Sequence, residues 1–470
     1  MGHSLFIFFL LMRKIFFLLS LSIIINIVSS CSEGDDNNTA KNNTTTQTED
    51  KPSTADTTST EKKDTTSSST IKVPSDTTGK MYQVAQMTIS TEGGVAITGK
   101  TKDDYRNCNI TITSSAEEWC YSGTGKIRGR GNSSWKWYDK KPYRIKLDEK
   151  SEILGLKANK DWVLLANYRD PTDLMNTFVF NMGEGLGMPY TNHTRYVEIT
   201  LNGEYIGLYQ LTEQIEVAKS RVNINKESGM LLELDADDGP ELAPEETDNF
   251  WSQVYDLPVC VKYPKDPTET QLTSAKYALA DIENAIKAHN YDKLCELMDV
   301  GSFIDYLLIQ EFVYNVEMAA PRSFFLFRDA DTKWTWGPLW DFDAGYDFDW
   351  SDMYTGHTFF TSYSETVLGT DPARHISDYT YTSSFFTDMW KNSTFVDEVR
   401  AHWEAMEPRI ISEFWAETLK YYDGIEEALA RDAAKWPIGR YYATEKKRME
   451  NWITNRVNFM HKVVANYPAQ

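Results

Sequence analysis

The sequence predicts an α+β fold, sheet-rich over residues 81–262 and helix-rich over residues 263–470. Short runs with period-two alternation succeed one another as far as Leu234. The pair Asn202-Gly203 joins two of those runs, and both residues of such a turn must take positive φ, which Asn and Gly do most readily. Beyond residue 263 the apolar residues recur at helical spacing instead.

In chain order, Met87-Thr88-Ile89-Ser90 and Ile110-Thr111-Ile112-Thr113 alternate as strands. A third strand from Lys126 runs into the loop Arg128-Gly129-Arg130-Gly131-Asn132. Tyr143 to Leu147 alternates again, and Trp162 to Ala166 is a continuous apolar run that reads as a buried strand. Asp170-Pro171 signals a helix start, with Asp170 as the cap and Pro171 at the first helical position. That helix is expected to end at Gly187. Tyr196–Leu201 and Glu204–Leu211 form the Asn-Gly hairpin, and Met230–Leu234 is a further strand ending in an acidic loop. Leu272, Ala275, Leu279, Ile282 and Ile286 share one helix face, Phe303 to Tyr314 makes a second helix, and two strands follow at Ser323–Phe327 and Trp334–Trp336. From Phe385 to Val464 the chain reads as several helices.

The first 80 residues have another character. Arg13 and Lys14 precede an apolar stretch from Ile15 to Val28, the pattern of a secretory signal. Val28-Ser29-Ser30-Cys31 is similar to a bacterial lipobox, so residues 1–30 read as a lipoprotein signal peptide and Cys31 as the lipidated residue. An uncleaved membrane anchor is the alternative, although the stretch is short for a span of ~20 apolar residues. Residues 31–80 are dominated by Ser, Thr, Asp, Asn and Lys and lack the apolar side chains needed to offset chain entropy. They read as a tether. The acids after Cys31 suit display at the cell surface, on the outer membrane.

Without residues 1–30 the chain keeps 46 basic and 69 acidic residues, a net charge of −23, which argues against general nucleic-acid binding. Export permits disulfides. Cys108 and Cys120 flank a strand and turn and are the expected pair, with free thiols as the alternative; the spacing of the four remaining cysteines suits no zinc site.

Three clusters are suited to chemistry. In the loop from Arg128 to Asn132, glycines allow a close backbone approach to phosphate and two arginines supply bidentate donors. Beside it stand Lys140, Lys141 and Lys146, with Arg144 and Lys146 on one face of their strand. In Trp340-Asp341-Phe342-Asp343 the two carboxylates project to one face of an extended chain and the two rings to the other. Mg²⁺ typically takes one or two carboxylates plus phosphate oxygens. An EF-hand calcium loop fails here, because Gly345 stands where a side-chain ligand is needed and Asp352 where glutamate is usual.

Arg128–Trp135, Lys140–Lys146, Trp162–Asn167, Tyr205–Glu213 and Trp340–Asp343, in that order, resemble the CotH kinase family of atypical protein kinases. The resemblance implies a diverged two-lobed kinase-like fold that uses ATP and Mg²⁺ or Mn²⁺. It implies a loop over the phosphates built from Arg128, Arg130 and Asn132, with Lys146 and Lys141 on phosphate oxygens. Asp341 is the implied metal-binding aspartate, assisted by Asp343, and Glu213 orients the lysine or touches the nucleotide. The family's catalytic aspartate belongs before the strand at Ser323. There this chain has Glu317, with Ser323 where an asparagine metal ligand is usual and Asn176 where arginine is expected. The implied reaction moves the γ-phosphoryl group to Ser or Thr of an exported or cell-surface protein. The departures leave a second expectation open: a surface protein on the same scaffold that binds glycans or protein partners, using aromatics between Trp334 and Tyr379. Structural calcium held by the acids at 235–248 and 341–352 is the third.

Overall fold

The computed structural model describes residues 79–237, 247–319, 321–348, 359–367, 384–437, 439 and 441–467. The signal segment, Cys31, the tether up to residue 78 and residues 238–246 of the acidic loop lie outside the described residues.

Seven strands close into a barrel: β1 Ala85–Thr91, β2 Arg106–Thr113, β3 Tyr121–Gly129, β4 Tyr143–Ile153, β5 Leu156–Leu165, β6 Arg195–Leu201 and β7 Glu204–Glu213. Their order is β1-β2-β3-β4-β5-β7-β6, and the parallel pair β1–β6 closes the ring. The alternation in the sequence is the alternation of this wall. Met87, Ile89, Ile110, Ile127, Ile145, Trp162, Leu164, Val197 and Leu211 form one apolar core inside it. Closure leaves no edge strand to pair with another chain. At the hairpin, Asn202 and Gly203 take φ of 51° and 85°.

A second sheet, ordered β12-β11-β8-β10-β9, combines β8 Met230–Leu234, β9 Asn249–Trp251, β10 Pro258–Tyr263, β11 Phe324–Arg328 and β12 Thr335–Trp336. It takes strands from both sides of residue 262. Its central strand β8 is apolar on every residue but Glu233 because both faces are covered. Leu232, Leu234, Phe324 and Leu326 join the large helical core. Leu231, Phe325 and Phe327 join a smaller cluster that includes Val163 on the outer wall of the barrel.

Among the helices, α3 Glu269–Lys287, α4 Tyr291–Leu297, α5 Val300–Phe312, α6 Ser393–Arg409, α7 Ala416–Lys435 and α8 Tyr442–Ala465 share one large apolar core, in which α5 packs on the second sheet and α7 on β7 of the barrel, while α1 Ser133–Trp137 and α2 Met175–Gly185 lie between barrel strands in sequence. No described helix is long and apolar enough to cross a membrane.

Two expectations are corrected. The helix signalled at Asp170 starts at Met175, because the Asp170 carboxylate first accepts from Thr172 N at 2.7 Å and only then from Met175 N at 2.8 Å. Gly187, at φ 76°, does end it. Cys108 and Cys120 are not bonded: Cys108 sits in the barrel core, where burial pushes its thiol up to about 12, and Cys120 is exposed. Cys260 and Cys295 are free as well.

Candidate functional site

The arginine-glycine loop continues from β3. A Cβ on Gly129 would lie 2.4 Å from the ring of Trp135, so glycine lets that ring fold back beneath the loop. Gly131 turns the chain at φ 85°. Lys141 Nζ donates to Trp135 O at 2.7 Å and holds the turn closed. Arg130 is thereby directed across the gap between barrel and sheet, and its guanidinium lies 5.5 Å from the ring centroid of Trp340.

Trp340 packs on Phe180 of α2, with ring centroids 6.4 Å apart, and belongs to the cluster that contains Val163. The chain then turns at Asp341, whose φ of 64° is unusual outside glycine. The segment from Trp340 to Asp343 is therefore not extended, and Trp340 and Phe342 enter different apolar clusters. The two carboxyls still meet, through a hydrogen bond between Asp341 and Asp343. The start of α2 secures this turn: Asn176 Oδ1 accepts from Phe342 N at 3.0 Å, and Tyr346 OH donates to Met175 O at 2.9 Å.

Two further segments complete the site. Arg169, between β5 and α2, is buried, bonds Asp343 Oδ1 through Nη2 at 2.6 Å and stacks 4.3 Å from the Phe348 ring centroid. Glu317 lies in a 3₁₀ turn, Val316–Ala319, after α5, and its N–H donates to Asn315 Oδ1 at 3.1 Å. Arg322 follows and bonds Asp237 Oδ1 at 2.9 Å. Burial first, and then the charge of Asp341, push the Glu317 carboxyl from 4.5 up to about 8, against the pull of Arg322 and Arg169. Desolvation by the groups packed around it, and then Asp343, push Asp341 from 3.8 up to about 7, opposed by Arg130 and Arg169, although its side chain still meets solvent. Three carboxyls and three arginines thus act on one another in the gap between barrel and sheet.

A family model described as CotH kinase protein matches residues 127–460. The chain belongs to the CotH kinase family. The match takes in the arginine-glycine loop, the barrel strands from the end of β3 onward, the second sheet and most of the C-terminal helices. A search of curated proteins finds no match to the chain. Membership in the CotH kinase family carries kinase-type phosphoryl transfer and the use of ATP in general terms. The β part of this member is a closed seven-stranded barrel.

The acids of this CotH kinase site fit a hard divalent ion. Crowded carboxyls with raised pKa retain protons where a cation would otherwise neutralise them, and an all-oxygen donor set suits Mg²⁺, Ca²⁺ or Mn²⁺ alike. Among the described residues no group of three or more His, Cys, Asp or Glu side chains is arranged to hold a metal. The fit is therefore to two carboxylates, Asp341 and Asp343, completed by phosphate oxygens. Ser323 stands next to Arg322 at φ 58°, a strained position for serine.

Other expected site residues fall outside this convergence. Arg128 lies on the outer barrel wall and donates to Lys100 O and, at 3.0 Å, to Gly129 O. Lys146 shares that wall, opposite Lys126 and Asp161. Asn132 precedes α1 without capping it through its side chain. Glu213 is bound by His193, through N at 2.8 Å and Nδ1 at 2.8 Å, with Arg221 Nη1 at 4.0 Å. These partners hold its carboxyl down to about 2 despite burial. It braces the barrel rather than orienting Lys146. Of the aromatics between Trp334 and Tyr379, Trp334, Trp336, Trp340 and Tyr346 are buried and Tyr363 is exposed, while Trp350 and Tyr379 lie outside the described residues.

Arg169 and Arg322 were not legible as site residues. Arg169 directly precedes the Asp-Pro helix signal and Arg322 directly follows Pro321, positions that carry no motif of their own. Lys140 bonds Asp432 of α7 at 2.8 Å with both side chains buried, and so ties the exit of the arginine-glycine loop to the C-terminal helices.

Proposed function

We propose that the protein transfers the γ-phosphoryl group of ATP to a Ser or Thr hydroxyl of an exported or cell-surface protein. The convergence of Arg130, Arg169, Asp341, Asp343 and Glu317 in one gap carries this reading. Arg130 and Lys146 would hold phosphate oxygens, while Asp341 and Asp343 would bind Mg²⁺ or Mn²⁺, with Ser323 as the further ligand; the ion would neutralise charge on the phosphates. Glu317 takes the proton of the attacking hydroxyl as the new oxygen–phosphorus bond forms and the bond to ADP breaks. The phosphoryl group needs little covalent help, so positioning and charge neutralisation supply most of the rate. Arg169 keeps Asp343 aligned.

The test is transfer from labelled ATP with Mg²⁺ or Mn²⁺ to the protein itself and to exported proteins. Transfer that is lost in Asp341→Ala and Glu317→Ala supports the reading. No ATP binding and no transfer by the natural chain ends it and leaves surface binding of a glycan or protein by the same scaffold, for which the substitution of Glu317 for aspartate speaks.

The chain is further proposed to be exported and held at the outer membrane by a lipid on Cys31, supported by the lipobox-like Val28–Cys31 and the polar tether. Labelled fatty acid incorporated by the natural chain and lost in Cys31→Ser is the expected result; equal labelling of both overturns it.

A further inference from the structure

The chain enters the folded body at Gly79, and its seat there is fixed. Gly79 takes φ 69°, and Lys80–Tyr82 forms a 3₁₀ turn against α7 and β6. The Tyr82 ring meets the Tyr421 ring edge-on, with centroids 4.9 Å apart, and Tyr82 OH donates to Glu417. A Cβ on Gly424 would collide with Tyr82 O, so glycine lets the entering backbone lie directly on α7.

A short series of contacts joins this seat to the acid turn. The Tyr421 and Tyr196 ring centroids lie 6.2 Å apart, and Tyr196 OH is 2.8 Å from Thr177 Oγ1 at the start of α2. The neighbouring Asn176 accepts from Phe342 N, between Asp341 and Asp343. From Gly79 to Asp341 these contacts make a path of roughly 40 Å, which about 12 extended residues span. The path runs through packed core, so a chain passes around it instead, and a detour of roughly 60 Å takes about 18 extended residues. The tether is long enough, because Thr60 stands 19 residues before Gly79 and Thr39 stands 40 before it. Ser75, Thr77 and Thr78 are too near the seat: from there a chain reaches at most about 14 Å, too little to pass around Tyr421 and Tyr196.

The segment has the chemistry as well as the reach. Nearly half of residues 32–78 are Ser or Thr and none is Tyr, so almost any register of that segment at the acids presents an aliphatic hydroxyl. Its linkage to the body sets the effective concentration of such a hydroxyl on the order of millimolar. We propose that the protein's own tether, between Thr39 and Thr60, is an acceptor of the γ-phosphoryl group, and that the transfer takes place within one chain. The hydroxyl oxygen bonds the γ-phosphorus, the bond to ADP breaks, and the hydroxyl proton passes to Glu317. Each transfer adds a charge of about −1.5 to −2 to the tether. The inference rests on the kinase reading of the site and names a substrate for it.

The test incubates the full natural chain, held at one molecule per detergent micelle, with labelled ATP and Mg²⁺ or Mn²⁺, and maps the label by mass spectrometry. Dephosphorylated casein serves as a separate acceptor. Label is expected between Thr39 and Thr60 and absent from Ser75, Thr77 and Thr78. The fraction labelled per minute should not change on tenfold dilution, and added Asp341→Ala chain should stay unlabelled. A chain with every Ser and Thr from Thr39 to Thr60 replaced by Ala should lose self-labelling at least tenfold and phosphorylate casein at the natural rate. Labelling of the Asp341→Ala chain, or a labelled fraction that rises with concentration, overturns the inference in favour of transfer between copies. Label on casein or on the folded body, with none on the tether, overturns the inference and leaves the kinase reading standing. Transfer to the tether alone upholds both. No transfer to tether, body or casein overturns both.

Discussion

Arg169 Nη2 and Asp343 Oδ1 lie 2.6 Å apart, joined across 174 residues of chain. The bond ties the connection between β5 and α2 to the turn that carries Asp341. Replacing the arginine leaves Asp343, half-buried beside Asp341, with no counter-charge from that side. Arg169→Met should destabilise the protein by about 3 kcal/mol, the lower end of what breaking a buried ion pair costs. Denaturant melts measure the loss.

The raised carboxyls make a pH prediction. Glu317 goes from 4.5 to about 8 and Asp341 from 3.8 to about 7 on folding, so the folded chain holds more protons than the unfolded one in this window. Stability from these two groups is full below pH 4 and is lost as pH rises through 7 to 8. Without divalent ions, Glu317→Gln should flatten that decline. Mn²⁺ should reverse it and release protons on binding, a release read by titration calorimetry in buffers of different ionisation enthalpy.

For turnover, Glu317→Ala should lower kcat by about 10²- to 10⁴-fold, the usual contribution of a positioned general base, with nucleotide affinity little changed. A parallel loss of ATP binding would make Glu317 a ligand-holding residue instead.

Glu213 gives the opposite pH signature. Its carboxyl falls from 4.5 to about 2 on folding, so its stabilisation is present above pH 4.5 and lost as pH falls toward 2. Glu213→Gln should remove roughly 3 kcal/mol at pH 7 and leave ATP affinity unchanged. A large rise in the Kd for ATP would restore Glu213 to the nucleotide site.

Lys140 and Asp432 form a buried pair in which Asp432 also accepts from Leu208 N at 2.8 Å. Lys140→Met should cost about 3–5 kcal/mol by stranding the aspartate. Adding Asp432→Leu should cost less than the sum of the two single changes, and a double-mutant cycle of unfolding free energies measures the difference.

All the strands but β9 and β10, the Asn202-Gly203 hairpin, the Gly187 helix stop and the helical spacing of Leu279, Ile282 and Ile286 were readable from the chain, because each rests on contacts within a few residues. The order of the motifs also disclosed the family. Closure of the wall by β1 against β6, the separation of Trp340 from Phe342, and the meeting of Arg169, Glu317 and Asp341 were not. Those depend on residues more than a hundred positions apart, which come together only when barrel and sheet bury their facing surfaces. Local pattern says which face a side chain takes; packing alone says what stands opposite it.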